Sequence, residues 1–440
     1  MIDLIQKYIS AGPAVKIAAE LETLVRTGRV GPDAVLPPVR ALAESIGVSP
    51  GTAASAYALL RQRGVVVTDG RRGTRVIPRP AQREYGGAPI PAGAMDLQVA
   101  NPDPKLLPDL KPMLRSISAA SATYEGPHMD RQLVRLMSAR FEQDHLDASN
   151  MGVFSGAIPA LYRALKACAR QGDKVGVEDP GFNDHAECVR ALGMVPVPIA
   201  IDHEGAVPES LQRALRMGVS AVVLSPRFQS PTGAAFTRAR ASAIRGLFRH
   251  APRVAVLVDD YAGLICDWPY HECRAPETEM WMVVRSFNKV IAPDLRVAVA
   301  VGDGGTMDRM RREQWIADGW VSGYLQKLAA AVIADAGARE LLDHAKSVYS
   351  SRRGALISAL AARGVRATGV TGLNVWIPVH DEAAVVGGLL SRGWGVRPGA
   401  RYRLQSGPGV RVTIARLEER TAERLAGDIA AVLGMESKGP

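Results

Sequence analysis

Apolar residues recur at helical spacing three times in the first sixty positions. Ile17, Leu21, Leu24 and Val25 share one face and Gly28 follows them, which predicts a helix over about 15–27. Pro38 can open a second helix, Leu42 and Ile46 lie one turn apart, and Gly47 stops it. Ser49 is a natural N-cap for a third, with Pro50 at its first position, Ala53, Tyr57 and Leu60 on one face and Gly64 after it. The join between the second and third is very short, as in a helix-turn-helix. Two β-rich runs then flank Asp69-Gly70-Arg71-Arg72-Gly73, which predicts a hairpin with a basic tip. Three helices and a basic hairpin make a winged helix, mainly α with a β-hairpin wing. Its third helix would enter the major groove, and Arg71, Arg72 and Arg75 would lie along phosphates.

Beyond residue 77 the pattern changes. Residues 78–94, PRPAQREYGGAPIPAGA, are rich in Pro, Gly and Ala and read as a semi-stiff linker. From about residue 95 short Val-rich runs alternate with helical stretches. Asp173–Pro180, Ser220–Pro226, Arg253–Asp260, Trp281–Ser286 and Arg296–Asp303 look like strands buried on both faces. This predicts an α/β domain with a mainly parallel sheet covered by helices, over residues 95–440. In such sheets ligands bind beyond the carboxyl ends of the strands.

Composition narrows the classes. Net charge is +10 and the chain is 47% hydrophobic. The first 80 residues hold 11 Lys+Arg against 6 Asp+Glu, a basic head that suits a polyanion such as DNA. Cys168, Cys188, Cys266 and Cys273 show no ligand spacing, so no metal is expected and a reducing compartment fits. No apolar run approaches the ~18 residues of a membrane span, and the first residues make a poor signal peptide. The expectation is a soluble, cytoplasmic protein.

The strand ends carry the candidate chemistry. Gly152–Ala157, GVFSGA, precedes a helix, and Ser155, Gly156 and Ala157 offer N–H groups and a hydroxyl to a phosphate. EDPGF ends in Phe182, an aromatic that can stack on a ring. SPRFQSPTG brings Ser230, DDY brings Asp259, Asp260 and Tyr261, and RSFNK brings Ser286 and Lys289, with Arg296 seven residues on. The set fits pyridoxal phosphate. Its phosphate needs a helix N-terminus, a hydroxyl and an arginine; its pyridine nitrogen needs a carboxylate; its aldehyde needs a lysine that can lose its proton. Asp259 is the candidate for the nitrogen, with Asp260 beside it as the alternative.

The head resembles the N-terminal domain of GntR-family regulators through Gly28-Arg29, LPPVRALAESIGVS from Leu36, Thr52 and the GRRGTRV wing. That resemblance implies DNA contacts from Arg40, Ser49, Thr52 and the wing arginines. Pro50-Gly51 stand where the family usually has an arginine, so its operator preference does not carry over. Residues from about 95 to 435 resemble fold-type-I aspartate-aminotransferase-like proteins. By that pattern Lys289 would form the internal aldimine, Asp259 would pair with the pyridine nitrogen, Tyr261 would bond the ring oxygen and Phe182 would stack. Ser155, Gly156, Ala157, Ser286 and Arg296 would hold the phosphate. Tyr124, in TYEGPH, would reach the phosphate of the neighbouring subunit, which implies a homodimer. Arg411, in GVRVTIA, would bind the carboxylate of an amino acid or amine effector. Ser230 stands where the family bonds the ring oxygen with asparagine, and Val297 replaces a glycine.

Together the halves resemble MocR-type regulators, closest to the branch tied to vitamin B6 salvage and pyridoxal kinase through Val99–Leu110, VEDPGF and Ala292–Arg296. Three functions stand at this point. The favoured one is a transcriptional regulator on an operator, with the cofactor or its amine adduct as effector and any transamination weak. The second is a working aminotransferase that carries a DNA-binding module. The third uses the large domain as a dimerisation scaffold only, which would need no lysine.

Overall fold

The computed structural model describes the chain except residues 32–33, 63–64, 70–72, 77–88, 119–122 and 435–440. It falls into two compact units, one built on Met1–Tyr85 and one on Gly86–Ala169, Lys174–Val189 and Pro196–Pro440.

In the first unit the predicted helices form at α2 (Ala14–Arg26), α3 (Val39–Ile46) and α4 (Pro50–Gln62). Pro38 caps α3 rather than starting it, and Gly47 ends it at φ +68, a left-handed conformation that costs glycine little. The Ser49 hydroxyl accepts from Thr52 N at 3.1 Å, a cap of about 1 kcal/mol for α4. Ile17, Leu21, Leu42 and Leu60 are fully buried between these helices. An additional helix, α1 (Ile2–Tyr8), joins this core through Ile5; at seven residues it shows too few turns for periodicity to reveal. β1 (Val66–Asp69) and β2 (Gly73–Val76) pair antiparallel as the hairpin. The tip, with Arg71 and Arg72, lies outside the described residues.

In the second unit the Val-rich runs become strands because they are apolar on both faces. The strands are β3 (Met151–Phe154), β4 (Lys174–Asp179), β5 (Val195–Asp202), β6 (Gly205–Ala206), β7 (Val219–Leu224), β8 (Ala255–Asp259), β9 (Trp281–Ser286) and β10 (Ala298–Gly302). They form one eight-stranded sheet in the order β3-β10-β9-β8-β7-β4-β5-β6. β4, β7, β8 and β9 run parallel, while β10 is antiparallel to both of its neighbours. β3 therefore points the same way as β9. The carboxyl ends of β3, β4, β7, β8 and β9 share one edge with the start of β10.

A smaller sheet of β11 (Asn374–Pro378), β12 (Arg397–Pro398) and β13 (Gly409–Thr413) has the order β11-β13-β12. Its strands are short, and the sequence pattern did not single them out. Phe141, Phe154, Phe236, Phe248, Phe287 and Trp394 fill the core of this unit. All four cysteines are free thiols. Among the described residues no helix is long and apolar enough to cross a membrane, and no group of His, Cys, Asp or Glu could hold a metal.

Candidate cofactor site

The strand-end edge gathers the predicted residues for a topological reason. Ala298 at the start of β10 pairs with Phe154 on one side and Ser286 on the other. That register sets Arg296 beside the turn after β3. Arg296 has φ +51, a left-handed conformation unusual for arginine. Its guanidinium lies over Gly156, so close that a Cβ there would meet Nη2 at 2.6 Å. Gly156 itself has φ +128 and caps α5 (Ala157–Cys168). Ser155, Gly156, Ala157 and Arg296 thus form a cradle around the amino end of a helix. Ser286 is buried, and its hydroxyl accepts from Asn288 N at 3.3 Å.

The two neighbouring aspartates differ sharply. Asp260 is fully buried and accepts from Arg227 Nε at 2.8 Å, Arg227 Nη2 at 2.9 Å and Arg285 Nε at 2.7 Å. Burial pushes its carboxyl up, but the two guanidiniums outweigh burial and hold it below the usual range. Asp259 at the end of β8 is only 2% exposed. Its Oδ2 meets His185 Nε2 at 2.8 Å, while its Oδ1 is buried with no hydrogen-bond partner. A buried carboxylate oxygen without a donor is costly, so this atom is set for a donor that a ligand supplies. Phe182 packs edge-on to His185 with centroids 5.5 Å apart.

Tyr261 follows β8 and its hydroxyl donates to Phe228 O at 3.0 Å, which aims the phenol at the loop that carries Ser230. Burial, then Asp259, raises the phenol above its ordinary value, so it stays a neutral donor. Ser230 is buried at 5% exposure. Lys289 is partly buried and donates to Ala100 O at 2.5 Å. Burial, then the positive charge of Arg411, brings its amine down to about 8. Arg411 on β13 is buried, donates through Nη2 to Gln98 O, and lies over the Tyr402 ring with 5.0 Å to the centroid. Its Nε has no partner.

These residues fit pyridoxal phosphate. The cradle suits a phosphate, Asp259 Oδ1 lacks the donor that a protonated pyridine nitrogen would bring, and Lys289 is close to losing its proton near neutral pH. Tyr124 is placed elsewhere. It is 80% exposed and packs edge-on to Trp320 at 5.4 Å, with His128 stacked on Trp320 at 4.2 Å. In the head, Arg40 and Ser49 are exposed, Thr52 is partly buried and Arg75 is partly buried on β2.

Sequence reasoning missed His185, Glu178 and Asp179. His185 lies three residues past Phe182, and only a lone histidine in a helix's first turn could have flagged it. Burial pushes the Glu178 carboxyl up to about 7, against donation from Ser225 N at 3.0 Å and from Gln229 Nε2 at 3.2 Å. Glu178 thereby fixes the loop that leads to Ser230. Asp179 accepts from Leu404 N, Gln405 N, Ser406 N and the Ser406 hydroxyl at 2.7–2.9 Å, tying the end of β4 to the segment after Tyr402.

Comparison with known proteins matches residues 95–429 to the aminotransferase class I and II family and residues 13–76 to the bacterial regulatory proteins of the gntR family. The vitamin B6 salvage pathway transcriptional repressor PtsJ of Salmonella typhimurium is 34% identical over 403 residues, 90% of this chain and 93% of that protein. The pyridoxine biosynthesis transcriptional regulator PdxR of Corynebacterium glutamicum is 24% identical over 361 residues, 77% of this chain and 76% of that protein. Among solved structures, kynurenine aminotransferase of Pyrococcus horikoshii superposes with a TM-score of 0.70 at 20% identity, over 79% of this chain and 92% of that one. The α-aminoadipate aminotransferase LysN of Thermus thermophilus gives 0.67 at 20% identity, over 78% and 94%. At that identity the two structures speak for the fold alone.

Proposed function

This chain belongs to the gntR-type bacterial regulators that carry an aminotransferase class I and II domain, and from that premise we propose that it is a transcriptional regulator whose DNA binding responds to pyridoxal phosphate held at Lys289. The relatives named for vitamin B6 salvage and pyridoxine biosynthesis support genes of vitamin B6 supply as its targets. The observation that carries the reading is the pairing of Lys289, its amine brought down to about 8, with a buried Asp259 Oδ1 that has no donor.

When bound, the cofactor supplies an aldehyde that joins a primary amine and a ring that withdraws electrons. The chain's own residues do the rest. Lys289 offers its neutral amine to the aldehyde. Asp259, steadied by His185, accepts from the pyridine nitrogen, and Tyr261 donates to the ring oxygen with Ser230 beside it. Phe182 covers the ring. Ser155, Gly156, Ala157, Ser286 and Arg296 bind the phosphate. Arg411 receives the carboxylate of an amino acid or amine effector.

A homodimer completes the site. Tyr124, exposed beside Trp320, reaches the phosphate of the neighbouring subunit, and exposed Trp315 and Ile316 extend the apolar face a second copy covers. Two winged heads on one dimer then read two half-sites whose spacing reports their placement. Arg40, Ser49, Thr52, Arg71, Arg72 and Arg75 make the DNA contacts. Arg411, with its unpartnered Nε, also favours a second reading, slow turnover of an amino acid with a keto acid.

The test is the visible absorption of purified protein given pyridoxal phosphate. A lysine-linked band in the parent that vanishes in Lys289→Ala is expected. A parent without the band contradicts the reading, and steady turnover promotes the second one.

A further inference from the structure

Two of the site's three cations, Lys289 and Arg411, are held by one short stretch of main chain. Lys289 Nζ donates to Ala100 O at 2.5 Å, and Arg411 Nη2 donates to Gln98 O. The stretch is fixed on either side by contacts that owe nothing to the site. Leu97 N donates to Gly395 O at 2.8 Å and Leu97 O accepts from Thr413 N at 3.0 Å. Asp103 N donates to the Tyr349 hydroxyl at 2.9 Å, and Asp103 Oδ2 pairs with Arg352 Nη1 at 3.0 Å. Between these anchors the chain turns, with Asn101 N on Val99 O at 2.8 Å, and Val99 and Ala100 remain partly exposed.

From this geometry we propose that residues 98–101 are a strap that competes with ligands for Lys289 and Arg411, and whose release carries site occupancy toward the DNA-binding unit. The proposal rests on the reading of the site given above. The competition is a matter of donors. A carboxylate on Arg411 takes the guanidinium face that now serves Gln98 O. Condensation of the Lys289 amine with an aldehyde would release water and leave at most one hydrogen on the nitrogen, and the ring oxygen of the bound cofactor would compete for it, so the donation to Ala100 O would be weakened or lost. Each lost bond is a charge-assisted one at a carbonyl, the stronger class of hydrogen bond. The direction of transmission follows from chain order. The strap begins just after the exposed turn at residues 91–94, and the chain before that turn leads back to the winged head. A site buried among strand ends would otherwise need a rearranged core to be felt outside. Here the ligand's own anchors double as the strap's anchors, and small displacements suffice.

The experiment is hydrogen exchange, read by mass spectrometry on the full chain with and without pyridoxal phosphate, loading being checked by absorbance. Peptides spanning 97–103 should exchange about tenfold faster in the loaded protein, the loss of roughly one charged hydrogen bond. Peptides of β8 should not change. Unchanged or slower exchange over 97–103 in protein that has loaded overturns the strap. If the protein does not load, the cofactor reading fails, and the strap is judged on the unloaded variants alone. Lys289→Met and Arg411→Leu each cut one tie without any ligand. Whichever keeps the parent's circular dichroism should show the faster exchange, and parent-like exchange there overturns the proposal. Transmission is tested by inserting six Gly/Ser residues after Gly93. Cofactor uptake and DNA affinity should persist while the effect of cofactor on affinity disappears; an effect of parental size overturns transmission through the strap.

Discussion

The rate at which the unloaded protein captures pyridoxal phosphate depends on how much of Lys289 is neutral. Its amine lies at about 8 against an ordinary lysine value of 10.5, lowered by burial first and by Arg411 second. At pH 7 a group at 8 is neutral in about one molecule in ten, and a group at 10.5 in about one in three thousand, so burial makes the lysine roughly 300-fold more available. The capture rate, followed by stopped-flow absorbance from pH 6 to 10.5, should rise with pH and reach half its maximum near pH 8. A rate still climbing steeply beyond pH 10 would refute the reasoning. In Arg411→Leu the midpoint should move upward and remain below the ordinary value, because burial is the larger cause. Stability carries the same signature. The folded chain holds fewer protons than the unfolded one between the two values, so stability rises with pH across that window. Relative to Lys289→Met, the parent should gain up to about 3 kcal/mol between pH 8 and 10.5.

The neighbouring aspartates should fail in different ways. Asp259→Asn should weaken cofactor binding by about 10- to 100-fold with little loss of stability, while Asp260→Asn should cost stability of about 3 kcal/mol or more by stranding Arg227 and Arg285; titration and thermal melts separate the two, and equal effects would contradict the assignment. Gly156→Ala should push Arg296 aside, so that affinity for pyridoxal phosphate falls at least tenfold while affinity for pyridoxal, which lacks the phosphate, barely changes. Arg40→Ala should lower affinity for all DNA sequences alike and flatten the plot of log affinity against log salt by about 0.9; an unchanged slope would remove Arg40 from the phosphate contacts.

Much of the candidate site was legible because β4, β7, β8 and β9 are near-continuous apolar runs with the candidate residues just past their ends, and Arg296 stands just before β10. Short runs that are apolar on both faces read as buried strands of a covered sheet. The sequence could not separate Asp259 from Asp260 on physical grounds, since the difference lies in Arg227 and Arg285, which reach Asp260 from other elements. His185 was hidden for the same reason, its partner Asp259 being 74 residues away. The carbonyls of Gln98 and Ala100 were invisible in principle. Every residue carries a carbonyl, and only the fold decides which ones meet a lysine or an arginine. The smaller sheet escaped because β12 spans two residues, β11 is bounded by Asn374 and Pro378, and β13 carries Arg411 at its middle, so none is a continuous apolar run.

The central claim is that cofactor held at Lys289 changes how this chain binds DNA. The most direct measurement is a titration of the full-length protein onto DNA from upstream of its own gene, at fixed salt, with and without pyridoxal phosphate, for the parent and for Lys289→Met. The account predicts a cofactor-dependent change in affinity or footprint in the parent that Lys289→Met lacks. Identical binding by the parent in both conditions, with loading confirmed by absorbance, would contradict it.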